Sequence, residues 1–233
     1  MKAAVVVFPG ANCDEDTRWA LANVCGMPTE MVWYTQGVPE DADLIVLPGG
    51  FSYGDYLRAG ALARFAPALE SVRRAAEQGR YVLGICNGFQ VLTEAHLLPG
   101  ALLRNDCLQF VCKDVWMRTV NKETAFTRGL AGIVKMPIAH GMGNYYIDPE
   151  GLMALEAHNQ IVLRYCDAAG NVTREANPNG SIANIAGIVN RAGNVLGMMP
   201  HPERASEIEL GSRDGRFLFE SVIESLREAA VRS

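Results

Sequence analysis

The stretch YVLGICNGFQVL, residues 81–92, sets a cysteine between two glycines where an apolar run passes into a helix-like pattern. Gly84-Ile85-Cys86-Asn87-Gly88 has the G-x-nucleophile-x-G form of a strand–turn–helix elbow. In such an elbow the glycines let strand and helix approach closely, while the central residue takes a strained conformation that exposes its side chain. A helix N-terminus also presents unpaired N–H groups and a dipole that favour thiolate over thiol. The spacing therefore predicts Cys86 as a nucleophile. A buried cysteine in a glycine-rich turn has the same pattern, so catalysis requires partners elsewhere in the chain.

Such a nucleophile needs a base, and the base needs a group to orient it. Among four histidines the best placed is His201, in GMMPHPER, with a proline on each side and Glu203 two residues later. In an extended segment residues i and i+2 point the same way, so Glu203 is expected to hold one ring nitrogen while the other faces Cys86. His96 and His158 read as structural. LPGGFSYGDYLRAGA, residues 47–61, supplies an oxyanion site: a backbone N–H at Gly49-Gly50, with the N–H of Asn87 as second donor. Gly49 and Gly54 also have the glycine spacing of a phosphate-binding loop, but Asp55 stands where that loop needs lysine, and its charge would repel phosphate. No metal site is expected. C-x-x-C is absent, Cys107 and Cys112 would face opposite sides of a strand, and Cys25, Cys107, Cys112 and Cys166 are expected to be small buried hydrophobes.

The elements that must position these residues alternate between β-branched runs and amphipathic stretches, as parallel βαβ units require. Strands are expected at 3–8, 29–34, 43–48 and 80–85, the last leading directly into Cys86. Helices are expected at 14–26, with Asp14 as N-cap and Gly26 as stop, and at 61–79, with Pro67 near a start or kink. Further strands are expected at 109–120 and 160–166, a short helix capped by Asp148 with Pro149 at its first position, a hairpin over 185–200 turning at RAGN, and a closing helix over about 213–230. The expected class is α/β: one domain over residues 1–233, a mostly parallel central sheet flanked by helices, and a nucleophile elbow.

Composition narrows the function classes. The 233 residues are 49% hydrophobic and 20% charged, with a net charge of −5, which suits a large α/β core. Basic residues are scattered, so no nucleic-acid partner is expected. The initial apolar run is only a strand's length and meets Pro9 and Gly10, unlike a signal peptide, and no run reaches transmembrane length. A cytoplasmic location with reduced cysteines is expected.

GICNGFQVL, LPGGFSYGDYLRAGA, FPGANCDED and MMPHPER together resemble the class I glutamine amidotransferases, and within them the small glutaminase subunits that serve a synthetase of purine biosynthesis. The resemblance covers essentially the whole chain. It implies Cys86 as nucleophile, His201 as acid and base, Glu203 as orienter, oxyanion donors at Gly50 and Asn87, Gln90 in the glutamine pocket, and Phe51, His140 and Asn144 at its edge. It also implies that L-glutamine is the substrate and that its ammonia passes to a large synthetase subunit, which uses ATP and magnesium to aminate formylglycinamide ribonucleotide, with a small third subunit assisting assembly. No cofactor is implied for this chain, and activity is expected only in the complex. One position departs from the family pattern. In IAHGMGNYY, residues 138–146, Met142 stands where the family usually has an acid, so any role of that acid toward the substrate's ammonium must be lost or moved. A stand-alone cysteine hydrolase or stress protein, and a catalytically silent regulatory module, are the alternatives on this fold.

Overall fold

Runs such as AAVVV and LIVL, apolar at every position, suit strands buried on both faces, as in a parallel sheet covered by helices. A computed structural model describes residues 1–232, and in those residues such runs form one half of a nine-stranded sheet. In chain order the elements are β1 (Ala3–Val7), α1 (Asp14–Trp19), β2 (Thr29–Trp33), β3 (Leu44–Leu47), α2 (Pro67–Glu77), β4 (Tyr81–Ile85) and α3 (Asn87–Glu94). The chain continues through β5 (Ala101–Leu103), β6 (Val111–Thr119), β7 (Ile133–His140), β8 (Asn144–Tyr146), α4 (Pro149–Ala157), β9 (Ile161–Cys166), β10 (Ile185–Val189), β11 (Val195–Met198) and α5 (Arg216–Arg232). The sheet order is β2-β1-β3-β4-β11-β10-β9-β6-β7, and β5 pairs with β8 apart from it.

From β2 to β11 every pairing is parallel; from β11 to β7 every pairing is antiparallel. The halves differ in burial for a physical reason. Parallel strands carry helices on their faces, so β1, β3 and β4 are almost wholly buried, whereas β7 alternates buried and half-buried residues, the signature of a sheet with one wet face.

Local signals fixed most element ends. Asp148 accepts from Gly151 N at 2.7 Å as N-cap of α4, with Pro149 in the first turn. Pro67 starts α2 rather than kinking it, after a separate 3₁₀ turn at Ala63–Phe65. Asp14 does not cap its helix. Cys13 takes that position without a side-chain cap, and Asp14 lies in the acidic first turn, where it complements the dipole. α1 then loosens into a π-helical turn, Ala20–Val24, before Gly26 at φ 68°. The expected strand at 109–120 is β6, but its partner β7 and the short β5 and β8 lie outside the expected set.

The helix following β4 lies unusually close to the sheet. A Cβ at Gly88 would overlap the Leu47 carbonyl, one at Gly197 would overlap the Phe89 ring, and one at Gly84 would sit 2.5 Å from the Leu92 side chain. Three glycines thus bring α3 down onto β3, β4 and β11, burying Phe89, Val91 and Leu92 completely. Gly88→Ala is expected to cost about 1–3 kcal/mol, because the clash is with backbone that cannot move aside. Gly132→Ala, with no atom within 4 Å of the new Cβ, is expected to stay within about 0.5 kcal/mol of the parent. Urea unfolding of both variants checks the contrast.

Candidate active site

Cys86 follows the last residue of β4 and precedes the first of α3, with φ 49° and ψ −104°. A cysteine in that region is a strained outlier of the kind that persists where surroundings over-determine it. Here they do: Cys86 N donates to Met198 O at 2.7 Å, and the glycine-lined approach of α3 leaves the turn no room to relax. Because β11 runs parallel beside β4, with Ile85 opposite Met198, the chain leaving β11 passes the elbow within three residues and delivers His201 there.

His201 and Glu203 form the expected pair, with Nδ1 and Oε1 2.6 Å apart and both side chains essentially inaccessible. The backbone that joins them differs from the expectation. Residues Pro202–Ala205 form a 3₁₀ turn rather than an extended segment, so the carboxylate reaches the ring by curling under it. His201 Nε2 and Glu203 Oε2 are buried with no hydrogen-bond partner among the described residues. Burial disfavours an imidazolium at His201, but the Glu203 carboxylate and then the Cys86 and Cys13 thiols more than offset it, holding this pKa well above its ordinary value.

Strand β7 closes the other side. Its Pro137 carbonyl accepts from His201 N at 2.9 Å, and its Ala139 carbonyl lies 3.7 Å from Cys86 Sγ. Pro137 interrupts the β pattern in the sequence, but β7 is the sheet's edge strand, where a missing N–H is tolerated. Two adjoining chambers of about 230 and 100 Å³ open beside the sulfur and share Gly50, Phe51, Cys86, Phe110 and Ala139.

Of the predicted oxyanion donors, Gly50 lines both chambers. Gly50, at φ 148°, lies between two hydrogen bonds, Phe51 N to Gly10 O and Asn12 N to Gly49 O, neither of which uses its own N–H. Asn87 opens α3, so its N–H has no acceptor within the helix. A Cβ at Gly49 would lie 2.7 Å from the His201 ring, so the loop must be bare there for the imidazole to seat.

Gln90 lines the smaller chamber with its amide held at both ends: Asn87 Nδ2 donates to its Oε1 at 2.8 Å and its Nε2 donates to the Met142 carbonyl at 2.6 Å. Phe51 lines both chambers beside Phe110. His140 lines the smaller one as a buried, neutral ring. Burial, with the His201 charge second, takes its pKa down to about 4, while Asn105 Oδ1 at 3.1 Å and Asn179 Nδ2 at 3.4 Å hold its two nitrogens. Asn144 is not with them. It sits in β8 opposite Leu103, with its amide against Gly180, because the chain turns away at Gly143.

Sequence reasoning passed over Cys13, Arg204 and Phe110 and used Asp55 only to exclude a phosphate loop; all four line the chambers. Cys13 and Arg204 flank the His201 ring, with Arg204 Nη2 3.1 Å from Cys13 Sγ. Burial raises the Cys13 pKa against the opposing pull of His201 and Arg204, so it is a thiol. Its sulfur, a His201 nitrogen and a Glu203 oxygen lie within 4.8 Å of one another. A cation there would have to break the His201–Glu203 bond and sit beside the guanidinium. Cys107 and Cys112, expected to be buried, are exposed, and Cys25 is half-buried; Cys112 lies on the wet side of β6, where burial is not demanded. His96 and His158, expected to be structural, are exposed just past the ends of α3 and α4.

An elbow cysteine beside a buried His–Glu pair that follows the neighbouring strand is an arrangement able to perform acyl transfer from an amide. The chain belongs to the CobB/CobQ-like glutamine amidotransferase domain family, whose model matches residues 1–213. It is 58% identical to the phosphoribosylformylglycinamidine synthase subunit PurQ of Chlorobium chlorochromatii, over 95% of this chain and 96% of that one, and 54% identical to the subunit of the same name from Acaryochloris marina over 99% of both. Among solved structures it is similar to a chain of PurLQS from Thermotoga maritima, with 42% identity, a TM-score of 0.85 and coverage of 97% and 98%.

The site separates the six cysteines by chemistry. A chloroketone analogue of glutamine is expected to alkylate Cys86 alone, while a small neutral alkylating reagent reacts first at exposed Cys107 and Cys112. Peptide mapping of both reactions distinguishes them, and analogue found on Cys13 or Cys107 counts against the site.

Proposed function

We propose that this chain is the glutaminase subunit of phosphoribosylformylglycinamidine synthase, releasing ammonia from L-glutamine for a synthetase subunit in purine biosynthesis. The observation that carries the chemistry is the strained Cys86 at the start of α3 sharing one cavity with His201, whose ring is held by Glu203. The names of the relatives carry the assignment to that enzyme.

The Cys86 thiolate attacks the side-chain carboxamide carbon, and the Gly50 and Asn87 N–H groups receive the developing oxyanion. His201 gives its proton to the nitrogen, the C–N bond breaks and ammonia leaves, so a glutamyl thioester remains on Cys86. Water, its proton taken by the same ring, then attacks the thioester carbon and releases glutamate and the thiol. Glu203 keeps the ring oriented throughout and stabilises its charged form. ATP and magnesium belong to the synthetase subunit, where the ammonia is used.

The oxyanion loop also suits control by that partner. The Gly49 carbonyl is held by Asn12 N at 3.4 Å and Cys13 N at 3.2 Å, both long, so the Gly49–Gly50 plane can exchange orientation at small cost. Docking of the loaded synthetase would favour the competent orientation, a coupling of about 1–3 kcal/mol.

Two results are expected. Cys86→Ala abolishes glutamine-dependent synthesis by the assembled complex while synthesis from ammonium salt persists; His201→Ala lowers the glutamine-dependent rate by about 100- to 10,000-fold, and Glu203→Gln by less. Parallel assays with glutamine and ammonium chloride check this, and equal loss with both nitrogen sources defeats it. The purified chain alone hydrolyses glutamine about 5- to 150-fold more slowly than in the loaded complex. Steady-state ammonia release, with partners and ligands added in turn, measures the difference, and equal rates remove the gating.

A further inference from the structure

Between Phe51 and Arg58 the backbone is forced into an unusual path. Tyr53, Gly54, Asp55 and Leu57 all have φ between 53° and 69°, a region three of these four residue types seldom visit. The path is pinned at one end by Tyr53 N to Pro9 O at 2.7 Å and by Ser52 N to Asn87 Oδ1 at 3.1 Å. Its effect is to turn the Asp55 carboxylate into the smaller chamber, where it faces the space lined by Cys86, Gln90, His140 and Met142. Backbone strain that delivers one charged group to a cavity points to a function for that group.

The carboxylate is poorly matched by the protein itself. Its one polar partner among the described residues is Asn87 Nδ2, which donates to it at the long distance of 3.5 Å and gives its other hydrogen to Gln90 Oε1 at 2.8 Å. Among the described residues no cation pairs with it: Arg58 is held by both oxygens of Glu94, Arg64 also turns to Glu94, and Arg204 is bound to Asp16 in the other chamber. Burial without a counter-charge raises its pKa to about 6. Of the residues lining the two chambers, Asp55 alone carries a carboxylate.

We propose that Asp55 is the counter-charge for the α-ammonium of the substrate, so that the amino acid lies with its carboxamide at Cys86 and its α-carbon in the smaller chamber. The inference rests on the glutaminase reading. It makes Asp55 a specificity residue: a charge-assisted hydrogen bond there admits an α-amino acid and rejects an amide lacking that ammonium.

The test uses the complete complex with its synthetase and two substrates, L-glutamine and glutaramate, which lacks the α-amino group. Asp55→Asn is expected to raise KM for glutamine by about 10- to 150-fold while kcat falls far less, and to leave the slow hydrolysis of glutaramate unchanged. Ammonium-dependent synthesis reports that the variant complex is intact. An unchanged KM for glutamine in an intact complex, or equal losses with both substrates, overturns the proposal. So does a wild-type complex that uses the two substrates equally well, a comparison that needs no variant. A wild-type complex that releases no ammonia from glutamine overturns the glutaminase reading itself, whereas the other outcomes overturn only the role of Asp55.

Discussion

The parallel pairing of β4 with β11 is the constraint on which the site depends. Parallel strands end at the same edge of a sheet, so residues just beyond their C-terminal ends share one crevice however far apart they are in sequence. Cys86 follows β4 and His201 follows β11 by three positions, and the hydrogen bond from Cys86 N to Met198 O fixes their relative height. The two residues are thereby set against each other by main-chain geometry. The side chains that surround them adjust the chemistry without having to create the proximity.

Close approach is what makes the elbow strained and keeps it so. A cysteine at φ 49° costs of order 1–3 kcal/mol, and the turn can persist only if relaxing it would cost more. Relaxation would lift α3 from the sheet and expose Phe89, Val91 and Leu92, each now fully buried, at about 1.5–3 kcal/mol for a side chain of that size. Gly84, Gly88 and Gly197 permit the packing because any larger residue would meet backbone or ring atoms. The strain at Cys86 is therefore maintained by apolar packing a full turn or more away.

The antiparallel half completes the cavity and decides its character. Pro137 holds the His201 backbone and Ala139 lies beside the Cys86 sulfur, while burial, with the His201 charge second, keeps His140 neutral and Asn105 and Asn179 hold its two nitrogens. Two like charges on neighbouring buried rings would repel, and burial removes one of them. Neutrality at His140 thus protects the raised pKa at His201.

The sequence by itself determined the parallel strands, the elbow, and the cysteine, histidine and glutamate that gather at it, because each is written in local pattern: continuous β-branched runs, G-x-C-x-G, and a histidine with glutamate two residues on. The helix start at Asp148 was legible for the same reason, whereas Pro67 left a start or a kink open and the structure makes it a start. What only the tertiary structure decided depends on contacts between distant segments. Strand β7 was hidden by Pro137, whose tolerance follows from its place at the sheet's edge, and an edge is a property of the whole sheet. The 3₁₀ turn under His201, the departure of Asn144 from the pocket, and the convergence of Cys13, Arg204 and Asp55 on it follow from chain paths that no local periodicity encodes. Asp55 marks the boundary between the two: its residue type was enough to rule out phosphate, but its lack of a cationic partner exists only where the folded chain has committed every nearby arginine elsewhere.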